Sequence, residues 1–139
     1  MINYVKPLPG PTAEQKPFWE YCKAHELRMQ KCSKCGQIRF PVSFICPKCQ
    51  SLDPAEWVKL SGKGTVYSFT IVNYVYHKAF AGDMPYVIAV IALDEGPRLL
   101  SNIINWKKED LMIGKPVEVV FEDVTDEFTL PKFKLLVPC

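Results

Sequence analysis

From residue 57 onward the chain alternates between apolar and polar positions. Over residues 65–75, Tyr67, Phe69 and Ile71 fall on one face of a predicted strand, with Ser68 and Thr70 on the other. Residues 57–61 precede it across Gly62-Lys63-Gly64, which predicts one long strand bent at a glycine bulge. Residues 86–93 are apolar at nearly every position and predict a strand buried on both faces. Asp94-Glu95-Gly96-Pro97 then turns the chain into a strand over 98–104. Residues 106–112 carry Lys107, Lys108, Glu109 and Asp110 and predict a short helix that stops before Gly114. Val117, Val119 and Phe121 alternate with Glu118 and Glu122. After an acidic turn, Phe133, Leu135 and Val137 alternate with Lys132 and Lys134, which gives two further strands.

Upstream of residue 57 the alternation is missing. Pro7, Pro9 and Pro11 mark an extended arm, and Pro17 suits the first turn of a helix, where its missing N–H costs nothing. Phe18, Trp19, Cys22 and Leu27 supply an apolar side; Glu20, Lys23 and Glu26 face solvent. Cys22 reads as a core residue and His25 as a surface histidine. The chain therefore divides into an arm and helix (1–26), a cysteine-rich module (27–56) and a strand-rich domain (57–139), with no internal repeat. Three strands, a helix and two strands in that order match an OB-fold, a five-stranded barrel.

Cys32, Cys35, Cys46 and Cys49 form C-x2-C-x10-C-x2-C within 18 residues, leaving Cys22 and Cys139 outside. In a reducing compartment this spacing reads as a metal site rather than a disulfide framework. Two short C-x-x-C turns each present two thiolates, which suits the tetrahedral preference of Zn²⁺. Iron in a rubredoxin-like site would use the same ligands. Four protein ligands leave no open position, so one structural zinc per chain is expected. The metal stands in for the core that so short a segment lacks, and supplies on the order of 10 kcal/mol of folding free energy.

Composition narrows the functional classes. The 139 residues are 48% hydrophobic and 23% charged, enough for a packed core. No apolar run nears the roughly 18–20 residues that span a bilayer. The first residues lack the pattern of a signal peptide, so a cytoplasmic protein without membrane contact is expected. The formal charge is +2, and a zinc tetrathiolate brings it near zero. Glu122, Asp123, Asp126 and Glu127 form an acidic stretch instead of the basic stripe typical of nucleic-acid binders. His25 and His77 lie in different modules with no orienting carboxylate evident. No nucleophile elbow, phosphate loop or H-E-x-x-H helix occurs.

Pro17-Phe18-Trp19-Glu20, the CSKCG and CPKC turns, GKGTVYS at 62–68 and LDEGPRLLSN at 93–102 occur in order. Together they resemble the zinc-ribbon and OB-fold proteins of the "domain of unknown function 35" family, also described as acyl-CoA-associated OB-fold proteins. The resemblance runs from about residue 12 onward. It implies a mainly β fold: an N-terminal helix, a rubredoxin-like zinc ribbon and a five-stranded OB-fold barrel. It also implies a non-catalytic accessory subunit of a thiolase-like condensing enzyme or acyl-CoA hydratase, helping to bind or pass on acyl-CoA.

Two other classes are carried beside that one: a single-stranded nucleic-acid module, with Trp106, Phe80 and the Tyr74/Tyr76 pair as stacking platforms, and a general protein-interaction module. The loop over 76–85, between the first two barrel strands, is where OB-folds commonly bind ligands. His77, Phe80, Met84 and Arg98 are accordingly the expected acyl-CoA or partner contacts, Phe80 and Met84 as an apolar loop tip. Lys107, Lys108, Arg28 and Arg39 are further candidate cations for the CoA phosphates.

Overall fold

The computed structural model describes residues 6–136; Val137 and Cys139 lie outside the described residues. Helix α1 (Lys16–Lys23) carries a proline in its first turn and buries Phe18 and Cys22. It ends in bonds from the Ala24 N–H to the Glu20 and Tyr21 carbonyls and from the His25 N–H to the Cys22 carbonyl. Strands β1 (Arg28–Lys31) and β2 (Ile38–Arg39) follow. Strand β3 (Glu56–Lys59) returns to pair with β1, Met29 opposite Val58, so the ribbon sheet has the order β2-β1-β3.

The barrel holds β4 (Lys63–Val72), β5 (Tyr86–Leu93), β6 (Arg98–Ile104), β7 (Pro116–Asp123) and β8 (Thr129–Leu135). It closes in the order β4-β5-β6-β8-β7, with β8 inserted parallel to β6 and antiparallel to β7. This is the OB-fold expected from sequence, on a mainly β chain with a short N-terminal helix. Val66, Val87, Ile91, Val117 and Phe133 are fully buried in it. Each such side chain contributes roughly 1.5–3 kcal/mol. Phe18, Cys22, Leu27 and Met29 belong to the same apolar cluster, so one core runs from helix and ribbon into barrel.

Four expectations need correction. The single bent strand over 57–75 is two strands in two sheets, because β3 satisfies its backbone on β1 while β4 starts the barrel. The bulge lies at Tyr67, where the β4–β5 register shifts between Val66 and Ser68. It reverses the facing of the strand: Val66 is buried before it and Phe69 and Ile71 pack on the core after it, while Tyr67 is left 49% exposed. Strand β5 is not buried on both faces; Val87, Ala89, Ile91 and Leu93 are buried and the alternate residues are half-covered. Residues 106–112 form a turn rather than a helix, with the Asp110 N–H on the Lys107 carbonyl. Only Leu111 is buried there, too little packing to offset the cost of nucleating a helix. No helix among the described residues is long and apolar enough to cross a membrane.

Candidate metal centre and ligand cavity

The two cysteine turns are built alike. In the first, the Gly36 N–H bonds the Cys32 carbonyl at 3.0 Å and the Cys32 N–H bonds the Gln37 carbonyl at 2.9 Å. In the second, the Gln50 N–H bonds the Cys46 carbonyl at 2.8 Å and the Cys46 N–H bonds the Ser51 carbonyl at 3.1 Å. Both turns need a left-handed residue at the fifth position, filled by Gly36 (φ 78°) and Gln50 (φ 61°). The Lys34 and Cys35 N–H groups each point at Cys32 Sγ from 3.4 Å.

All four Sγ atoms lie within 4.8 Å of one another, with Cys32–Cys49 and Cys35–Cys46 at 3.5 Å. Zinc–sulfur bonds of about 2.3 Å at tetrahedral angles place sulfurs about 3.8 Å apart, so the donor set fits the ion. The Cys35 N–H, followed by that of Lys34, lowers the Cys32 thiol to about 6. The N–H groups of Cys49 and Lys48 lower Cys46. Cys49 moves the other way: the Ser51 N–H favours its thiolate, but desolvation and the neighbouring sulfurs push it up to about 11. A divalent cation removes that conflict by balancing several thiolates at once.

The expected ligand contacts are dispersed. His77 accepts the Ala79 N–H at Nδ1 and caps a 3-10 turn over Lys78–Asp83. Phe80 is not an exposed tip: it packs 5.7 Å from the Tyr86 ring, with Lys6 Nζ 5.3 Å above its face. Met84 is half-buried beside it in sequence, whereas Tyr74 and Tyr76, 67% and 78% exposed, form the open part of the loop. Arg98 pairs across from Ala92, six residues along β5 from Tyr86 and so about 20 Å away; its guanidinium stacks on Tyr67 at 3.9 Å. Arg28 is held by Glu26 at 2.9 Å, and Arg39 is buried with Nη2 on the Ser43 carbonyl at 2.8 Å. Lys107 and Lys108 are exposed.

The structure gathers a different set. A cavity of about 420 Å³ opens at one end of the barrel, lined by Lys6, Phe80, Tyr86, Asn102, Trp106 and Lys132. Lys6 pairs with Asp83, and Lys132 with Glu122 at 2.7 Å. Sequence reasoning missed Lys6 and Lys132, one in a proline-rich arm and one on the polar side of a strand, because only folding brings them together. It also missed the partner of His25: Nε2 lies 2.9 Å from Asp123 Oδ1, and the ring stacks on Phe121 at 5.3 Å. The Thr129 hydroxyl donates to the same carboxylate and, with His25, lowers Asp123 below the usual range. This exposed pair straps the end of α1 to β7 and lies outside the cavity.

Residues 19–55 match the model described as ChsH2, rubredoxin-like zinc ribbon domain, and residues 57–122 match ChsH2, C-terminal OB-fold domain. A DUF35 domain-containing scaffold protein of Methanocaldococcus jannaschii is 44% identical over 70% of this chain and 68% of its own. The chain belongs to the DUF35 family. A solved chain described as Ltp2-ChsH2(DUF35) aldolase superposes with a TM-score of 0.84 at 34% identity, covering 94% of this DUF35 protein and 100% of that chain. A probable enoyl-CoA hydratase alpha subunit of Thermomonospora curvata is 34% identical over 96% of this chain, which spans only 41% of that subunit. The benzoylsuccinyl-CoA thiolase subunit BbsA of Thauera aromatica is 33% identical over 58% of this chain and 54% of its own. These relatives support a structural zinc in the ribbon and an accessory place in acyl-CoA enzyme systems.

Proposed function

We propose that this protein is a non-catalytic accessory subunit which docks on a thiolase-like condensing enzyme or an acyl-CoA hydratase in the cytoplasm and forms one wall of the acyl-CoA site. The observation that carries the reading is the end-to-end correspondence with the Ltp2-ChsH2(DUF35) aldolase chain. The 76–85 loop and the adjoining cavity support it. Trp106, Phe80 and Tyr86 offer aromatic surface, and the Lys6–Asp83 and Lys132–Glu122 ion pairs bring polar groups of both signs beside it. His77, Phe80 and Met84 contact ligand or partner at this end of the barrel. Arg98, on Tyr67, contacts the partner at the other. With its four ribbon cysteines committed to zinc and His25 strapped outside the cavity, the chain contributes shape and polar contacts rather than a reacting group.

The test is a tryptophan-fluorescence titration, read against a Trp106→Phe variant, with acetyl-CoA and with a single-stranded oligonucleotide, each at two salt concentrations, together with an assay for acyl-CoA turnover by the chain alone. Quenching by the CoA thioester, none by the oligonucleotide and no turnover are expected. Turnover by the isolated chain overturns the accessory reading. Salt-sensitive quenching by the oligonucleotide alone replaces it with a nucleic-acid module.

A further inference from the structure

Strand β2 is a free edge of the ribbon sheet. Its register sets Ile38 opposite Lys31 and Arg39 opposite Gln30, and one step on, the Cys32 N–H bonds the Gln37 carbonyl. Bonded and non-bonded pairs alternate along an antiparallel ladder. The 32/37 and 30/39 pairs are therefore the bonded ones, and the 31/38 pair between them is not. The Ile38 N–H and C=O consequently point away from β1, across the open edge.

That edge borders a cleft of about 420 Å³, walled opposite by the Glu95-Gly96-Pro97 turn. Two residues lining it each carry a buried side-chain atom with no hydrogen-bond partner: Gln37 Oε1, an acceptor, and Arg39 Nε, a donor. Arg39 is only 5% exposed, and none of the ion pairs among the described residues includes it. Buried orphans of this kind are uncommon in native proteins and point to a missing partner. Lys48 lines the same cleft. Lys31 and Lys34 are exposed nearby, Arg28 is held by Glu26, and Glu95 is the one acidic residue among those lining the cleft.

We propose that this edge binds an extended, acidic peptide segment by strand addition. A residue of the peptide exchanges both backbone bonds with Ile38, and its acidic side chains face Lys48 and the exposed Lys31 and Lys34. A simple anion fits less well, because it leaves the outward Ile38 carbonyl, an acceptor, unpaired. The edge of a second copy brings the same positive charge and is repelled. The assignment is independent of the cavity at the barrel end and of any CoA ligand there.

The test is an amide NMR titration of the zinc-loaded full chain with three capped peptides: acidic TVEVEVT, basic TVKVKVT, and the acidic sequence N-methylated throughout its backbone. The acidic peptide is expected to shift the Ile38 and Arg39 amides saturably at millimolar concentration and to slow exchange of the Ile38 N–H. The basic and N-methylated peptides are expected to bind at least about tenfold more weakly. Ile38→Pro removes the outward donor while leaving both ladder pairs, and is expected to weaken the acidic peptide by a similar factor with zinc content unchanged. Equal binding by the N-methylated peptide, shifts centred elsewhere, or silence at Ile38 at millimolar peptide overturns the proposal. So does a thymidine oligomer that shifts Ile38 where the acidic peptide does not.

Discussion

Gln50 holds a left-handed backbone at the place where the twin turn has Gly36. A side chain in that conformation costs about 1–2 kcal/mol, partly offset by the greater chain entropy glycine loses on folding. Gln50→Gly is expected to stabilise the protein by about 0.5–1 kcal/mol, read by urea unfolding at fixed free zinc; a loss of stability would show that the Gln50 side chain matters more than its backbone. Cys22 offers a second prediction at this scale. Desolvation pushes its thiol from an ordinary 9.0 up to about 12. Between those values the unfolded thiol ionises while the folded one stays protonated, so the unfolded state binds fewer protons. Stability therefore falls as pH rises from about 9 toward 12, by up to about 1.4 kcal/mol per pH unit. Cys22→Ala is expected to flatten that slope whatever its effect on packing at pH 7, and unfolding curves at several alkaline pH values measure the difference.

Within the barrel, Gly64 of β4 pairs with Leu93 of β5. A Cβ added to Gly64 would lie 2.4 Å from the Ala92 carbonyl oxygen, part of the paired backbone, which has no rotamer to change. Gly64→Ala is expected to cost about 2–3 kcal/mol. Gly82→Ala, in the 3-10 turn with nothing within 4 Å, is expected to change stability by no more than about 0.5 kcal/mol. Thermal unfolding of the two variants side by side checks the contrast. At this scale local signals were legible: ligand spacing marked both cysteine turns, and alternation, one apolar run and one turn marked the barrel strands. What escaped was decided by neighbours distant in sequence. β3 left the expected long strand because β1 was available to pair with it. The 106–112 segment reads as helical by composition, yet only Leu111 reaches the core.

The apolar cluster passes from Phe18, Cys22, Leu27 and Met29 into the barrel without a break. Sequence alone divided the chain into an arm and helix, a cysteine-rich module and a strand-rich domain. With a shared core, zinc removal is expected to loosen the ribbon and also to lower the barrel's unfolding midpoint while leaving its strands formed. Hydrogen exchange after chelation should rise steeply at Leu27 and Met29 and modestly at Ile91; Cys46→Ser should give the same pattern. Complete loss of strand signal would show that ribbon and barrel fold as one unit. The candidate sites divide along the same line. The zinc ligands were legible because they lie within 18 residues, whereas Lys6 and Lys132 meet Phe80 and Trp106 only once the barrel is closed. The Ile38 edge was illegible because it depends on which pairs of a short ladder are bonded.

Strand β8 lies between β6 and β7, yet follows both in sequence. During synthesis the barrel therefore cannot close until β8 has left the ribosome. The four cysteines and β3 emerge well before it, roughly 4–15 s earlier at about 5–20 residues per second. Through that interval the inner face of the ribbon has no barrel to cover it. A zinc ion captured in that interval closes the ribbon before any barrel exists, which makes the metal the first long-range link of the newborn chain.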